Sequence, residues 1–118
     1  MKKNDIGKIG ENAVADLLKK KKYKITATNY RSPFGEIDII AENKDSILFV
    51  EVKTRTQEMF GRGREAVGYS KQAKIIKTAQ FYMSEHDTGD KNCMFDVAEV
   101  FFDGIKCRVE YLSGAFQE

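Results

Sequence analysis

Asp38, and then Glu51 and Lys53 with Val52 between them, are the residues of this chain whose types and spacing could do chemistry. Residues 36–42 and 47–55 both alternate and read as strands. A hairpin with its turn centred on Lys44 and Asp45 sets Ile37 opposite Val52, Ile39 opposite Val50 and Ala41 opposite Leu48. One face is then wholly apolar, and apolar patterning is what fixes strand register. The same register sets Asp38 opposite Glu51, and Ile40 opposite Phe49, so the second face is partly buried too. Side chains directly opposed in a sheet have Cβ atoms about 4.5–5.5 Å apart, and like charges there destabilise. Two carboxylates so placed need a counter-charge. Lys53, two residues along the same face, supplies part of it. A hard divalent cation with oxygen ligands would supply the rest. The competing reading is an exposed polar strand end, with Lys53 paired to Glu36.

Two helices aim further polar residues at the same place. Ile6, Ile9, Ala13, Val14, Leu17 and Leu18 have helical spacing, which predicts a helix over 5–21 with Asp5 as N-cap. Glu11 falls about 20° beyond Leu18 at the edge of that apolar stripe, at 100° per residue. A second helix is predicted from a Ser70 cap to residue 85, with Ile75, Ile76, Ala79, Tyr82 and Met83 as its apolar arc. Gln72 lies inside that arc and Lys71 at its border. A polar side chain aimed inward from a first helical turn needs a partner. For Gln72 taken alone, a bond to nearby backbone suffices. Glu11, Asp38, Glu51, Lys53 and Gln72 all aimed inward together mark a candidate site.

The remaining segments supply the frame. Strands are predicted at 23–30, 94–102 and 106–112, the last two joined by the hairpin signal Asp103-Gly104. Pro33 marks a turn, and residues 59–69 are a glycine-punctuated loop. The order α-β-β-β-α-β-β implies an α/β fold, helices packed on a mixed sheet. At 118 residues the chain has the size of a single domain spanning 1–118. Its charged fraction, 32%, exceeds the usual ~25%, yet eight Phe and five Tyr allow a real core. No apolar run approaches the roughly 18 residues a membrane span needs. The amphipathic start is not a signal core, and Cys93 and Cys107 suit reduced thiols, so a cytoplasmic location is expected. A single His and no C-x-x-C argue against structural zinc. The net charge of +2 hides an uneven distribution. Residues 1–22 carry +4 and residues 53–77 carry +5, while 23–52 and 78–118 are acidic. Two basic blocks suit a polyanion, though solvated lysine faces give the same pattern.

Several short stretches also match a known family. They are Gly7-x-x-Gly10-Glu11, Asn29-x-Arg31, Gly35-Glu36-Ile37-Asp38, Phe49-Val50-Glu51-Val52-Lys53-Thr54-Arg55, Phe60-Gly61, Glu65-Ala66-Val67, Lys71-Gln72, Phe95-Asp96-Val97 and Ala115-Phe116. Through them the chain resembles the YraN family of the PD-(D/E)XK nuclease-like superfamily, and is similar to archaeal Holliday-junction resolvases. Ile37 stands where the superfamily name has proline. The resemblance implies a restriction-endonuclease-like αβββαβ core and a Mg²⁺-dependent (or Mn²⁺-dependent) endonuclease acting on DNA phosphodiesters, of branched or damaged DNA among others. Asp38, Glu51 and the Val52 carbonyl would hold the metal, with Glu11 binding it directly or through water. Lys53 would meet the phosphate or orient the water, and Gln72 and Lys71 would position substrate or lysine. Arg55, Arg62, Arg64, Lys71, Lys74 and Lys77 are the candidate nucleic-acid contacts. The likeness to resolvases brings with it a homodimer. Against this stands a non-catalytic nucleic-acid-binding module, or an accessory protein, of the same fold.

Overall fold

Strands with apolar residues on both faces must be covered twice, and that requirement organises the chain. The structure is a computed structural model describing residues 2–57 and 67–118, without the side chains of residues 3 and 4. Its elements are α1 (Lys3–Lys20), β1 (Lys24–Ser32), β2 (Gly35–Glu42), β3 (Ser46–Thr56), α2 (Tyr69–Glu85), β4 (Asn92–Phe102) and β5 (Cys107–Phe116). The five strands form one sheet in the order β1-β2-β3-β4-β5. Neighbours are antiparallel except β3 and β4, which run parallel and are joined through α2. This is an α/β fold with a mixed sheet flanked by two helices, consistent with the restriction-endonuclease-like core expected above. Among the described residues no helix is long and apolar enough to cross a membrane.

The core has two halves. Val14 and Leu18 of α1 pack on Ile39, Ala41, Leu48, Val50, Ala98 and Val100 on one sheet face. On the other face Ile75, Ala79 and Tyr82 of α2 pack on Ile40, Ile47, Phe49, Phe95 and Val97. The predicted register holds at Ile39↔Val50, Ile40↔Phe49 and Ala41↔Leu48. Ile37 departs from expectation. It joins the α2-side cluster instead of continuing the face of Ile39. The β2–β3 pairing ends at Ile39↔Val50, so β3 does not hold Ile37 in the register of Ile39. β1 is kinked at Asn29, which takes a positive φ of 51°, but it keeps one register with β2 from Ala27↔Ile40 to Tyr30↔Ile37, so the change of face falls in β2 at Asp38.

Both helix starts also differ from the predicted ones. Lys2 stands at the α1 N-cap, and the Asp5 N–H already bonds the Lys2 carbonyl (3.0 Å), so Asp5 sits in the first turn. An acid is favourable there against the helix dipole. Gly68 occupies the α2 N-cap and accepts from the Gln72 N–H at 2.9 Å, which puts Ser70 inside the helix. β5 runs on to Phe116, past the predicted end at residue 112. Gly114 takes a positive φ of 61°, and Phe116 stacks on Phe95 at 5.3 Å between ring centroids. Gly10 lets α1 lie against β3, because a Cβ there would sit 1.9 Å from Thr54 Oγ1.

Candidate active site

Beyond Ile39↔Val50 the strands β2 and β3 part: β2 stays with β1 as far as Gly35, and β3 stays with β4 as far as Thr56. Asp38 stands at that fork. Its Oδ2 accepts the Val52 N–H at 2.8 Å, in place of a backbone carbonyl from β2. The N–H and C=O of a strand residue leave on the same side, so the Val52 carbonyl faces the fork as well. Glu51, only 7% exposed, is the neighbouring acid whose charge bears on the Asp38 carboxyl. Burial first, and the Glu51 charge second, push Asp38 up to about 7, against the pull of the Val52 N–H. Neither effect is surprising for two acids in one desolvated site.

Cations come to this pair from α2 and from β3. Lys71 Nζ lies 2.9 Å from Glu51 Oε1. Burial opposes the Lys71 charge, but the bond to Glu51 outweighs it and raises its pKa. Asp38, Glu51, Lys71 and Lys74 line a cleft of about 250 Å³ together with Gly35, Glu36 and Ile75. Lys53 lines the adjoining hollow of about 160 Å³ with Gln72 and Glu99. Burial and the neighbouring Arg55 lower the Lys53 pKa, while Glu99 and Glu51 oppose the change. The first turn of α2 thus straddles the two spaces, Lys71 over one and Gln72 over the other.

The remaining predicted residues are placed as follows. Glu11 reaches the fork from α1, on the opposite sheet face, and its charge bears on Asp38. Its Oε1 accepts from Asn29 Nδ2 at 3.0 Å. Asparagine is among the few residues that tolerate the left-handed backbone this position adopts. Gln72 donates to the Val67 carbonyl at 2.7 Å, the backbone bond expected of it in isolation. Glu36 pairs with Arg31 at 3.4 Å, so its partner is not Lys53 as in the competing reading. Arg55 is mostly buried against Glu99, 4.0 Å away, and not on the surface where a phosphate contact was expected. Lys74 and Lys77 are exposed on α2. Arg62 and Arg64, with the Phe60-Gly61 and Glu65-Ala66 steps, lie outside the described residues.

Two residues were not picked out by sequence reasoning. Glu99 is 6% exposed on β4, directly across from Lys53. An acid inside the apolar run from Phe95 to Phe102 was the available signal, but the parallel β3–β4 pairing that gives it meaning is not written in local pattern. Asn29 was noticed only as part of a motif, and its hold on Glu11 needs the β1 kink to be seen. Asp96 of the Phe95-Asp96-Val97 stretch is structural. It is 1% exposed, accepts from Tyr111 Oη and from the Gly114 N–H (2.8 Å), and so pins the β4–β5 irregularity.

Among the described residues no three His, Cys, Asp or Glu side chains gather closely enough to hold a metal on their own. Two carboxylates with a backbone carbonyl are nonetheless a fitting donor set for Mg²⁺. That ion keeps several waters and is usually held by one or two protein carboxylates. Hard oxygen donors and a surplus of confined negative charge both suit it.

Residues 10–100 match the family described as Uncharacterised protein family UPF0102. A UPF0102 protein of Caldanaerobacter subterraneus subsp. tengcongensis is 44% identical over 92% of this chain and 88% of its own length. One from Syntrophus aciditrophicus is 42% identical over 94% of this chain and 87% of its own. Another, from Alkaliphilus oremlandii, is 45% identical over 94% and 97%.

Proposed function

The chain belongs to the UPF0102 family, the YraN family of the resemblance above, and we propose that it is a divalent-metal-dependent nuclease acting on DNA phosphodiesters. The observation that carries this reading is the fork itself. Two buried carboxyls meet where a sheet opens, one of them pushed up to about 7 by burial and by the charge of the other, with two lysines beside them. Phosphodiester hydrolysis needs charge neutralisation around the phosphate and an activated water. Asp38, Glu51 and the Val52 carbonyl would hold Mg²⁺ or Mn²⁺, with Glu11 behind them. When bound, the ion supplies Lewis-acid polarisation of the phosphate and lowers the pKa of water. Lys53 would present its ammonium to charge developing on the phosphorus oxygens, a preorganised contact in a partly dry hollow. Gln72, fixed by Val67, would hold the wall against which Lys53 rests. Lys71 neutralises Glu51 when no cation is present, and would turn to the substrate phosphates once one is. Lys74 and Lys77 would add sequence-independent backbone contacts.

Cleavage of labelled duplex, branched and single-stranded DNA with Mg²⁺, Mn²⁺ or EDTA tests the reading. Metal-dependent cutting that EDTA stops is the expected result. Binding without cutting on every substrate would transfer the assignment to a non-catalytic nucleic-acid-binding module.

A further inference from the structure

On the nuclease reading the metal and the phosphate occupy the acid cleft, and only the Lys53 edge of the adjoining hollow of about 160 Å³ is used. Val67, Val97, Leu112, Ala115 and Phe116 give that hollow a mostly apolar lining. Gln72 is among its polar walls, and Lys53 joins it to the acids. An apolar lining suits the face of a base and not a phosphate. Sites for drug-sized ligands run to roughly 300–1,000 Å³, so this one admits a single ring system and not a whole nucleotide.

Apolar groups left in water cluster at the same place. Among the described residues the large exposed hydrophobic side chains are Phe34, Tyr69, Ile105 and Leu112. Leu112, 49% exposed, is a wall of the hollow. Tyr69, 90% exposed, opens α2 between Val67 and Gln72, which both line it. It also lies one helical turn before Gln72, on that residue's side of the helix. Single exposed hydrophobics are ordinary, whereas adjoining ones mark a contact surface. An exposed aromatic beside lysines is the means by which proteins hold unpaired bases. Gln72 adds a polar edge. Its bond to the Val67 carbonyl uses one amide N–H, and the amide has a second N–H and an oxygen besides. Those are the groups with which glutamine reads a base edge.

The spacing fits a nucleic-acid strand. Glu51 in the cleft and Lys53 in the hollow are two residues apart on β3, about 6.5 Å along the strand, a distance that one nucleotide spans. A base inside a continuous duplex is held by its stack and its partner, and reaches such a hollow only by being flipped out. An unpaired base enters without that cost. We propose that the hollow seats one unpaired nucleobase next to the scissile phosphate, with Tyr69 as a stacking face at its α2 end. The substrate class is then DNA unpaired at the cut, as in gaps, flaps and single strands. This rests on the nuclease reading for the path of the strand, and deepens it.

The test uses the full chain with a labelled duplex carrying a short single-stranded gap and with the same duplex without a gap. A third set of probes has an abasic site at each gap position in turn. Binding is read by fluorescence anisotropy in EDTA, and cutting with Mg²⁺ or Mn²⁺. Wild type should bind the gapped duplex about tenfold more tightly than the continuous one, lose about tenfold at one abasic position, and cut beside that position. Ala115→Leu fills the hollow from an exposed position, and Tyr69→Ala removes an exposed ring, so both leave the core alone. Each should bring gapped binding within about threefold of continuous-duplex binding, and leave the latter within about twofold of wild type. In Ala115→Leu the abasic site should cost less than about twofold, because the base has no seat left to lose. An equal abasic cost in wild type and Ala115→Leu would overturn the proposal. So would a wild type that binds and cuts gapped and continuous duplexes alike, which keeps the nuclease reading. A loss confined to Tyr69→Ala would put the base on the helix end and not in the hollow, against the proposal. A wild type that shows the expected binding pattern but cuts nothing would remove the nuclease reading and leave the hollow as the base site of a binding module. One that neither binds nor cuts any DNA would remove both.

Discussion

Asp38 links the chemistry of the fork to the stability of the fold. Its folded pKa stands near 7, against an ordinary value of 3.8. An acid whose pKa is raised by folding favours the folded state below its ordinary pKa, and that contribution is lost as pH climbs through the raised value. Asp96, raised by burial, acts in the same direction. The urea midpoint should therefore fall between pH 5 and pH 7.5. Asp38→Asn, which cannot ionise, should flatten that fall, and millimolar Mg²⁺ should restore stability at pH 7.5 in wild type only. Identical pH profiles for the two proteins would show that Asp38 does not carry the effect. Lys53 gives the corresponding kinetic expectation. Lys53→Ala should slow cleavage by about 10²–10³, as when one preorganised donor is removed from a transition state. Its DNA affinity should stay within a few fold, since a single lysine contributes about one counterion's worth of binding. A variant that cuts as fast as wild type would place the cleavage elsewhere.

The elements position these residues through a few close contacts, and those contacts separate what the sequence made legible from what it did not. α1 reaches the fork only because Gly10 lets it lie against Thr54. Gly10→Ala would drive a methyl into Thr54 Oγ1, and overpacking of that kind costs about 1–3 kcal/mol. A matching drop in unfolding free energy, partly relieved by Thr54→Ala, which removes the clashing hydroxyl, is the expected result; no change would mean that the helix has room to shift. The β2–β3 register was readable because two alternating runs with one short turn admit a single pairing that buries both apolar sets. It does not extend to the expected opposition of Asp38 and Glu51, because the ladder ends at Ile39↔Val50 and the two acids meet at the fork instead. The end of that pairing was not readable, because there the Asp38 side chain bonds the Val52 N–H in place of backbone. Helix bodies were legible from periodicity, but their starts were not: Asp5 and Ser70 are good caps that lie within the first turns of helices begun by Lys2 and Gly68. Glu99 stayed hidden for a deeper reason. Parallel pairing joins strands separated by a whole helix, and nothing local marks which residue will face Lys53.

At the scale of the molecule, the two helices divide the basic charge between the sheet faces. α2 carries Lys71, Lys74 and Lys77 on the face that holds the acid cleft, with Lys71 and Lys74 lining it. The lysines at the end of α1 belong to the other face, and Lys21 there lies over the Tyr111 ring at 5.5 Å. On the nuclease reading, the α2 lysines of the second basic block are the ones that would guide a phosphate backbone across the fork. Counterion release then sets a quantitative expectation. Each phosphate neutralised on duplex DNA contributes about −0.9 to the slope of log affinity against log salt. Lys74→Gln with Lys77→Gln should make that slope shallower by about 1.8, and should weaken binding to every DNA sequence alike, because backbone contacts read no bases. Lys19→Gln with Lys20→Gln removes the same charge from the far face and should leave the slope nearly unchanged. A binding isotherm at four or more salt concentrations for wild type and both double variants decides the matter. Equal slope changes in the two variants would mean that the charge acts as an undivided field, and that α2 does not mark the path of the nucleic acid.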